Sequence, residues 1–174
     1  LRETVPSMVV SAEVVLSGAS IDAEHILIYD DDHYYMGSVV ALALRDAGHH
    51  VTSVTPAGRP CAFGVYTGEI YESNARLFTA GVEVVTNKEV VALQPGMAVL
   101  ECTMSGRESH LTCDAMIPIC RRLPNLSDFD ALTTLQDEGK AGSIQTITRI
   151  GDAEAPTTTA AAAPPAHRAG APPR

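Results

Sequence analysis

The chain has 174 residues and a formal net charge of −9, with a hydrophobic fraction of 45%, an aromatic fraction of 5% and no tryptophan. This acidic balance argues against binding to a nucleic acid or to an anionic membrane, because both surfaces attract clustered basic side chains. A core of Val, Ile, Leu and Ala favours a mainly parallel sheet covered by helices. No apolar run is long enough to span a bilayer, and we expect a cytoplasmic protein.

The first part of the chain predicts a linker, a strand, a helix and a second strand. Residues 1–24 are interpreted as the linker, with one short helix near 12–16. The isoleucine-rich run from His25 to Asp30 is typical of a buried strand. Apolar residues at helical spacing then define one helix face, namely Met36, Val39, Val40, Ala43 and Ala47. Gly48 ends this helix, and HHVTSVT is the second strand.

A loop, a helix and a series of short strands follow. PAGRPCAFG is a loop because its prolines and glycines break any periodicity, and TGEIYESNARLFTAG is a helix that ends at Gly81. The predicted short strands are VEVVTN, KEVVAL, MAVLECTM, HLTC and CDAMIPIC, with a turn near Asn87. This order predicts an α/β, Rossmann-like FAD/NAD(P)-binding domain of the disulfide-reductase type. In that variant a small antiparallel meander replaces one crossover helix.

The pattern weakens after Asn125. LSDFDALTTLQDEG predicts a helix with Ser127 as its N-cap, and SIQTITRIGD predicts a strand that ends in Gly151 and Asp152. The remaining sequence is rich in alanine, threonine and proline, and we expect residues 164–174 to form a disordered tail.

The four cysteines are Cys61, Cys102, Cys113 and Cys120. None forms a Cys-x-x-Cys pair, so the sequence predicts neither a zinc site nor an iron–sulfur centre within this chain. Cys102 and Cys113 could face each other across a hairpin and form a disulfide. Reduced thiols are favoured, because nothing in the sequence indicates secretion.

The turn after the first strand carries the strongest functional signal. A dinucleotide site has G-x-G-x-x-G here, with two glycines for the turn and the pyrophosphate and a third for helix packing. This chain has DDDHYYMG, in which only Gly37 remains, at the place of the third glycine. The sequence therefore predicts that the packing role is kept and the two phosphate roles are lost.

The side chains of this turn also oppose a phosphate. Three carboxylates stabilise the start of the following helix and repel a pyrophosphate from the same position; they are Asp30, Asp31 and Asp32. Tyr34 and Tyr35 add bulk. Three successive aspartates cannot all face one point, so a metal site is not predicted, and His33 has no identifiable partner for a general-acid role.

Two segments of the sequence resemble the trimethylamine, dimethylamine and histamine dehydrogenase family. They are IYDDDHYYMGSVVALALRDAGHHVTSVTP and RIGDAEAPTTTAAA, of which the YYMG turn and IGDAEAP are the most specific parts. The same group is related to 2,4-dienoyl-CoA reductase and to N-methylproline demethylase-like flavoproteins. The resemblance covers roughly residues 25–125 and 149–167, in the C-terminal nucleotide-fold region of the family.

The resemblance implies a larger enzyme of three parts. An FMN barrel oxidises the amine, a cysteine cluster holds a 4Fe-4S centre, and two nested nucleotide-fold domains follow. Electrons leave through the iron–sulfur centre to an electron-transferring flavoprotein, and family members can hold ADP in the outer nucleotide-fold domain. The barrel, the cysteine cluster and the first half of the outer domain are not in this chain, so we expect a truncated form that has no cofactor by itself.

Mapped on this chain, the resemblance implies two domain segments. Residues 25–125 correspond to the inner, pyridine-nucleotide-like domain, and residues 126–163 to the return segment of the outer FAD/ADP-binding-like domain. The pair Gly151 and Asp152 would touch the ribityl–phosphate region of a flavin nucleotide. With Gly37, these are the candidate cofactor-binding residues, and no catalytic or metal-binding residue is predicted.

The expected function is that of a C-terminal module of a flavin and iron–sulfur amine dehydrogenase-type oxidoreductase. Alone it would be non-catalytic and serve as a scaffold or as a docking surface for the electron acceptor, with the remainder of the dehydrogenase as its partner. One alternative is a stand-alone NAD(P)H-binding domain in which Arg59 meets a 2′-phosphate; another is an ADP- or AMP-binding regulator. The aromatic residues Tyr66, Tyr71 and Phe78 are interpreted as core and rim packing rather than as an electron relay.

Overall fold

The computed structural model describes residues 6–120 and 123–154. It divides into two compact units, residues 1–120 and 121–174, and each is described by itself. The predicted tail, residues 164–174, lies outside the described residues. Within the part of the chain that is described, no helix has the length and apolar character needed to cross a membrane.

The described part of the first unit contains three α-helices, two sheets and two short 3₁₀ helices, Pro6–Met8 and Ala62–Val65. The helices are α1 (Ala12–Leu16), α2 (Met36–Asp46) and α3 (Ile70–Thr79). The strands are β1 (His25–Asp30), β2 (His50–Val54), β3 (Glu83–Val85), β4 (Lys88–Gln94), β5 (Met97–Cys102), β6 (Glu108–Thr112) and β7 (Ala115–Ile119). The parallel sheet has the order β3-β2-β1-β7, and the antiparallel meander has the order β4-β5-β6. This confirms the predicted fold class.

Strand β1 lies in the middle of the parallel sheet, which explains its continuous apolar run. Ile26 and Ile28 point to the face that α2 covers, where they share a buried cluster with Val40 and other residues. Leu27 belongs to a second buried cluster on the opposite face, formed with residues of the meander. A strand that is buried on both faces needs apolar residues at successive positions rather than at alternate ones.

The buried face of α2 differs from the predicted one. The buried residues are Gly37, Ser38, Val40, Ala41 and Leu44. Val39 is 41% exposed, and Ala47 lies beyond the end of the helix and is exposed. Gly37 lies on the buried face close to Asp30, and Val40, Ala41 and Leu44 follow it on the same face at helical spacing.

The meander separates the two cysteines that were considered as a disulfide pair. Cys102 ends β5 next to the β5–β6 turn, where its N–H donates to the carbonyl of Arg107. Cys113 follows β6 at the other end of the hairpin, where its N–H donates to the carbonyl of Gly96. About five strand residues lie between the two positions, roughly 17 Å. The disulfide alternative is therefore ruled out, and all four cysteines are free thiols, as the sequence favoured.

The segment before β1 is more than a linker. Met8 is buried in the cluster between the sheet and the meander, and Val9 forms an isolated parallel bridge with Met116 of β7. The N–H of Val10 donates to the carbonyl of Met116 at 3.0 Å. This segment therefore extends the parallel sheet beyond β7 and covers its edge, as edge strands commonly require.

The second unit contains one helix in its described part, α4 (Ser127–Asp137). Ser127 is the first residue of the helix rather than its N-cap, and its N–H donates to Oδ1 of Asn125. The strand predicted for SIQTITRIGD is not formed, since residues 144–150 have no regular structure. A strand needs a neighbour that accepts and donates its hydrogen bonds, and the described part of this unit provides none.

Candidate functional site

The turn between β1 and α2 holds a buried carboxylate. Asp30, the last residue of β1, is only 1% exposed, and its Oδ1 accepts the N–H of His33 at 3.2 Å. A Cβ atom built on Gly37 would lie 2.7 Å from both Cγ and Oδ2 of Asp30. Real Cβ atoms essentially never approach so closely, so Gly37 is required by the carboxylate of the chain itself. The space that a third glycine normally opens for helix packing is here shared with Asp30.

Burial changes the acidity of this carboxyl group. Desolvation raises the pKa of Asp30 from the usual 3.8 to about 6, and the negative charge of Asp32 acts in the same direction. The N–H groups of His33 and Asp32 and the nearby His33 ring oppose this change. Near pH 7 the turn therefore holds a buried negative charge at the start of α2, where a nucleotide fold places the negative charge of its ligand.

His33 links this turn to the loop after β2. Its backbone is left-handed, with φ of 66°, and its carbonyl accepts the N–H of Phe63 at 2.9 Å. Its ring contacts the Phe63 ring edge-on with centroids 5.1 Å apart, while Nε2 lies 3.5 Å from Oδ1 of Asp31. Nδ1 is buried and finds no hydrogen-bond partner among the residues that the structure describes. The loop after β2 is thus fastened over the turn.

An aromatic cluster extends outward from this contact. The ring of Phe63 also lies 5.5 Å from that of Tyr34 and 6.3 Å from that of Tyr66. Tyr66 is 82% exposed, and Tyr71 and Phe78 on α3 are 77% and 60% exposed. These exposures contradict the expectation of core packing for the three side chains, whereas the contact of Tyr66 with Phe63 is packing at the rim. Helical periodicity alone does not show that the aromatic residues of α3 lie on its solvent-exposed side.

Cys61 and Gly64 fix the loop after β2. Cys61 is buried with a left-handed φ of 53°, and burial raises the pKa of its thiol. A Cβ on Gly64 would lie 2.5 Å from Sγ of Cys61, so this position also requires glycine. Nothing in the sequence marks the pair, because the contact depends on a backbone conformation that no motif announces.

Gly151 and Asp152 lie in the second unit, whereas Gly37 lies in the first. Gly151 has φ of 57° and begins a 3₁₀ turn over Gly151–Ala153. A Cβ on Gly151 would meet nothing within 4 Å, so its backbone conformation, and not crowding, favours glycine there. Asp152 is exposed, which leaves its carboxylate accessible.

A cavity of about 380 Å³ lies beside the ends of β2 and β3. Its apolar walls come from Ile70, Tyr71, Phe78 and Val84, and its polar groups from Arg59, Asn74 and Thr86. Gly58 and Pro60 complete the lining from the loop after β2. The position of Arg59 after β2 is visible in the sequence, whereas the cavity that it borders is not.

The described residues contain no group of three or more His, Cys, Asp or Glu side chains arranged to hold a metal ion. Asp30 is buried and bonded to the turn, and Asp31 contacts the His33 ring. Asp30 and Asp31 therefore make their contacts within the turn itself.

Comparison with solved structures relates this geometry to known enzymes. The chain superposes on histamine dehydrogenase from Rhizobium sp. 4-9 with a TM-score of 0.90 and 29% identity, over 99% of this chain and 28% of that chain. This chain is similar to a part of the amine dehydrogenases. It also matches the 6-hydroxypseudooxynicotine amine oxidase from Pseudomonas geniculata N1, with a TM-score of 0.84 and 28% identity over 94% of this chain and 24% of that one. The chain thus spans about a quarter of the length of these amine-oxidising relatives.

More distant structures share the fold alone. A ferredoxin reductase from Rhodopseudomonas palustris has a TM-score of 0.53 at 19% identity over 68% of this chain. Neither the protein-family models nor the curated proteins gave a match to the sequence. The ferredoxin reductase shares the α/β fold with the chain, and the resemblance of the chain to amine dehydrogenases agrees with the one seen in its sequence.

Proposed function

We propose that the chain is a C-terminal module of a flavin and iron–sulfur amine dehydrogenase-type oxidoreductase, and that it is a scaffold without catalytic activity of its own. The observation that carries the proposal is the buried carboxylate of Asp30 against Gly37, in a fold similar to part of histamine dehydrogenase. In a nucleotide fold the phosphates of the ligand occupy this end of the helix.

The carboxylate opposes a diphosphate at this turn for two physical reasons. A second anion placed there would be repelled by the charge of Asp30 at close range, in a poorly solvated environment where such repulsion is strong. The Phe63 contact with His33 also closes the turn from outside. These contacts support a nucleotide fold that is kept for its architecture, and they disfavour the alternative of a stand-alone NAD(P)H enzyme.

The same proposal includes the cofactors and partners of the complete enzyme. The FMN barrel and the 4Fe-4S centre would belong to the remainder of the dehydrogenase, and residues 126–163 to its outer FAD/ADP-binding-like domain. There Gly151 and Asp152 would border a bound nucleotide. The exposed aromatic side chains of Tyr66 and Phe63 support a docking role toward the rest of the enzyme or an electron-transferring flavoprotein, since exposed aromatic residues are enriched at interfaces.

A chimeric enzyme tests the scaffold role. The segment of the Rhizobium histamine dehydrogenase that matches this chain is replaced by this chain, and histamine-dependent dye reduction is measured beside a version from which the segment is deleted. We expect the chimera to be active and the deletion to lose activity or fail to fold. A purified 174-residue chain that retains flavin and reduces dye when an amine is added would contradict the proposal.

A further inference from the structure

We propose that His25 and His50 form a pH-sensitive switch at the amino edge of the parallel sheet, in which a single proton on the pair holds strand β3 to the sheet through Glu83. The three side chains belong to neighbouring strands, since β1 begins at His25, β2 at His50 and β3 at Glu83. This inference does not depend on the scaffold role. It rests on the distances between these side chains and on their charges.

The two histidine rings lie too close together for both to be charged without a cost. His25 and His50 are partners in the register of β1 and β2, and their ring centroids are 4.2 Å apart. Two positive charges at such a distance repel each other even in water. Within the pair, the first proton therefore opposes the second.

Glu83 joins β3 to its neighbour β2 through both of its carboxylate oxygens. Oε1 lies 3.3 Å from Nε2 of His50, and the two form an ion pair once that ring is protonated. Oε2 accepts the hydroxyl of buried Thr52 at 3.2 Å. Because β3 has three residues and lies at the edge of the sheet, it is the strand of this sheet that local opening releases most easily. A proton on His50 therefore strengthens the attachment of β3.

The hydrogen bonds around His25 favour its neutral form. Thr52 donates its one hydroxyl proton to Glu83, so its oxygen accepts from Nε2 of His25 at 2.8 Å. Burial lowers the pKa of His25, and the neighbouring His50 acts in the same direction, whereas Glu83 and Asp114 oppose this change. The first proton therefore resides on His50, and His25 takes up the second at lower pH.

The other charged groups beside the pair bind backbone atoms. The carboxylate of Asp114, which precedes β7, accepts the N–H of His25 at 2.8 Å. The ring of His49 contacts the carbonyl of Ala23 at 2.8 Å, and Arg45 of α2 donates to the carbonyl of His49. These contacts fix the backbone at the start of β1 and β2, which leaves the ion pair of His50 and Glu83 as the pH-dependent link to β3.

The attachment of β3 should be strongest in a window of pH. As the pH falls through the usual range of histidine, His50 gains its charge and the ion pair with Glu83 forms. On further acidification His25 is protonated as well. Because the pKa of His25 is lower in the folded protein than in the unfolded chain, its stabilising contribution is present at neutral pH and is lost as the pH falls through the folded value.

The first test is an NMR titration of the full chain that follows the ring signals of His25 and His50, with the exposed His110 of β6 as an internal reference. We expect His50 to be protonated first and His25 at lower pH. His50→Gln removes one charge of the pair, so the titration midpoint of His25 should rise by about half a pH unit or more. An unchanged midpoint of His25 in this variant would overturn the proposal.

The second test is hydrogen exchange, which shows whether the proton acts on β3. The N–H of Thr55 donates to the carbonyl of Val85 and reports on β3, whereas the N–H of Cys113 donates to the carbonyl of Gly96 and reports on the meander. After correction for intrinsic exchange rates, the protection of Thr55 relative to Cys113 should be about two- to fivefold greater near pH 6 than at pH 8, as expected for one exposed ion pair.

Two variants make this result specific. Glu83→Gln should remove the pH difference at Thr55, whereas Glu72→Gln, an exposed glutamate on α3, should keep it. Asp30 also titrates, but it lies at the other end of β1 and is the same in both variants. The proposal is overturned if Thr55 is equally protected at both pH values in the unchanged chain, or if Glu83→Gln behaves as Glu72→Gln does. Either result would leave the scaffold proposal intact, because that proposal is tested by the chimera.

Discussion

The carboxylate of Asp30 lies against Gly37, and this contact explains why position 37 is a glycine. The carboxylate occupies the space beside the first turn of α2, and glycine is the residue that leaves this space open. Position 37 therefore requires glycine for two reasons, the packing of α2 and the space that the Asp30 carboxylate occupies.

The buried carboxyl of Asp30 should make stability depend on pH. The pKa of Asp30 is raised to about 6 in the folded protein, so the neutral carboxyl is favoured by folding. The stability that this preference contributes is fully present below pH 4 and is lost as the pH rises through 6. Asparagine does not ionise, so Asp30→Asn avoids the cost of a buried charge at pH 8. The change in the free energy of unfolding caused by Asp30→Asn should therefore be about 2–3 kcal/mol more favourable at pH 8 than at pH 4. Urea unfolding at both pH values measures this difference.

Asp46→Asn is the matched control, because Asp46 is exposed and lies at the other end of α2 from Asp30. The pH argument fails if Asp30→Asn changes stability equally at pH 4 and pH 8.

Gly37→Ala should destabilise the protein by about 1–3 kcal/mol, the usual range for an overpacked core position. The loss should shrink when Asp30 is replaced by alanine, because the added Cβ would then no longer meet Cγ and Oδ2. A double-mutant cycle of the two changes, followed by urea unfolding, measures the coupling. Strictly additive effects would mean that the contact does not explain Gly37.

The thiol of Cys102 should react first among the four cysteines. A hydrogen bond from Ser105 and the N–H groups of the turn lower the pKa of Cys102 to about 7, whereas burial raises that of Cys113 to about 11. Iodoacetamide at pH 7.5 should label Cys102 within the time that leaves Cys113 unmodified, as mass spectrometry of peptides would show. Ser105→Ala should slow the reaction, and equal rates in both proteins would contradict this assignment.

At the scale of elements, the loop after β2 acts as a cover on the β1–α2 turn. The Phe63 contacts with the ring and the carbonyl of His33 are the connection. Phe63→Ala should loosen this cover and speed hydrogen exchange at the Phe63 position and its neighbours.

Tyr66→Ala in the same cluster is a matched control, since Tyr66 is largely exposed and its ring lies at the outer end of the cluster. Native-state hydrogen exchange of both variants compares them. Similar exchange in the two variants would mean that the His33 contact does not hold the loop.

How far the sequence predicts this fold depends on the kind of signal. The run from His25 to Asp30 is apolar at successive positions, and the strand it predicts lies between two other strands. The glycines that end α2 and α3 were equally informative. Such signals are local, because strand and helix propensity act within a few residues.

Contacts that depend on an unusual backbone conformation or on tertiary packing are not predictable from the sequence. Cys61 meets Gly64 only because the backbone turns left-handed, and α3 exposes Tyr71 and Phe78 although its apolar spacing resembles that of a packed helix. The strand predicted over residues 143–152 is not formed for a related reason, since strand pairing depends on a neighbour that no local pattern supplies. The aspartates of the turn predicted loss of the phosphate roles, but not the burial of Asp30.

At the scale of the whole molecule, two regions of the first unit lie where a nucleotide fold places parts of its ligand. The diphosphate end is filled by Asp30 and covered by Phe63, while the end beside β2 and β3 retains an open cavity next to Arg59. The chain is similar to about a quarter of histamine dehydrogenase, and we propose that this module serves by its architecture rather than by a bound nucleotide.

The measurement that tests the filled turn most directly is an NMR titration of the full chain with NADH. The amide signals of His33, Gly37 and Ser38 report on the turn, and those of Thr86 and Ile70 report on the cavity. We predict that the turn signals stay unchanged up to millimolar NADH, whatever happens at the cavity. Saturable shifts at His33 and Gly37, abolished by a bulky substitution such as Gly37→Val, would show a dinucleotide at the turn and contradict the account.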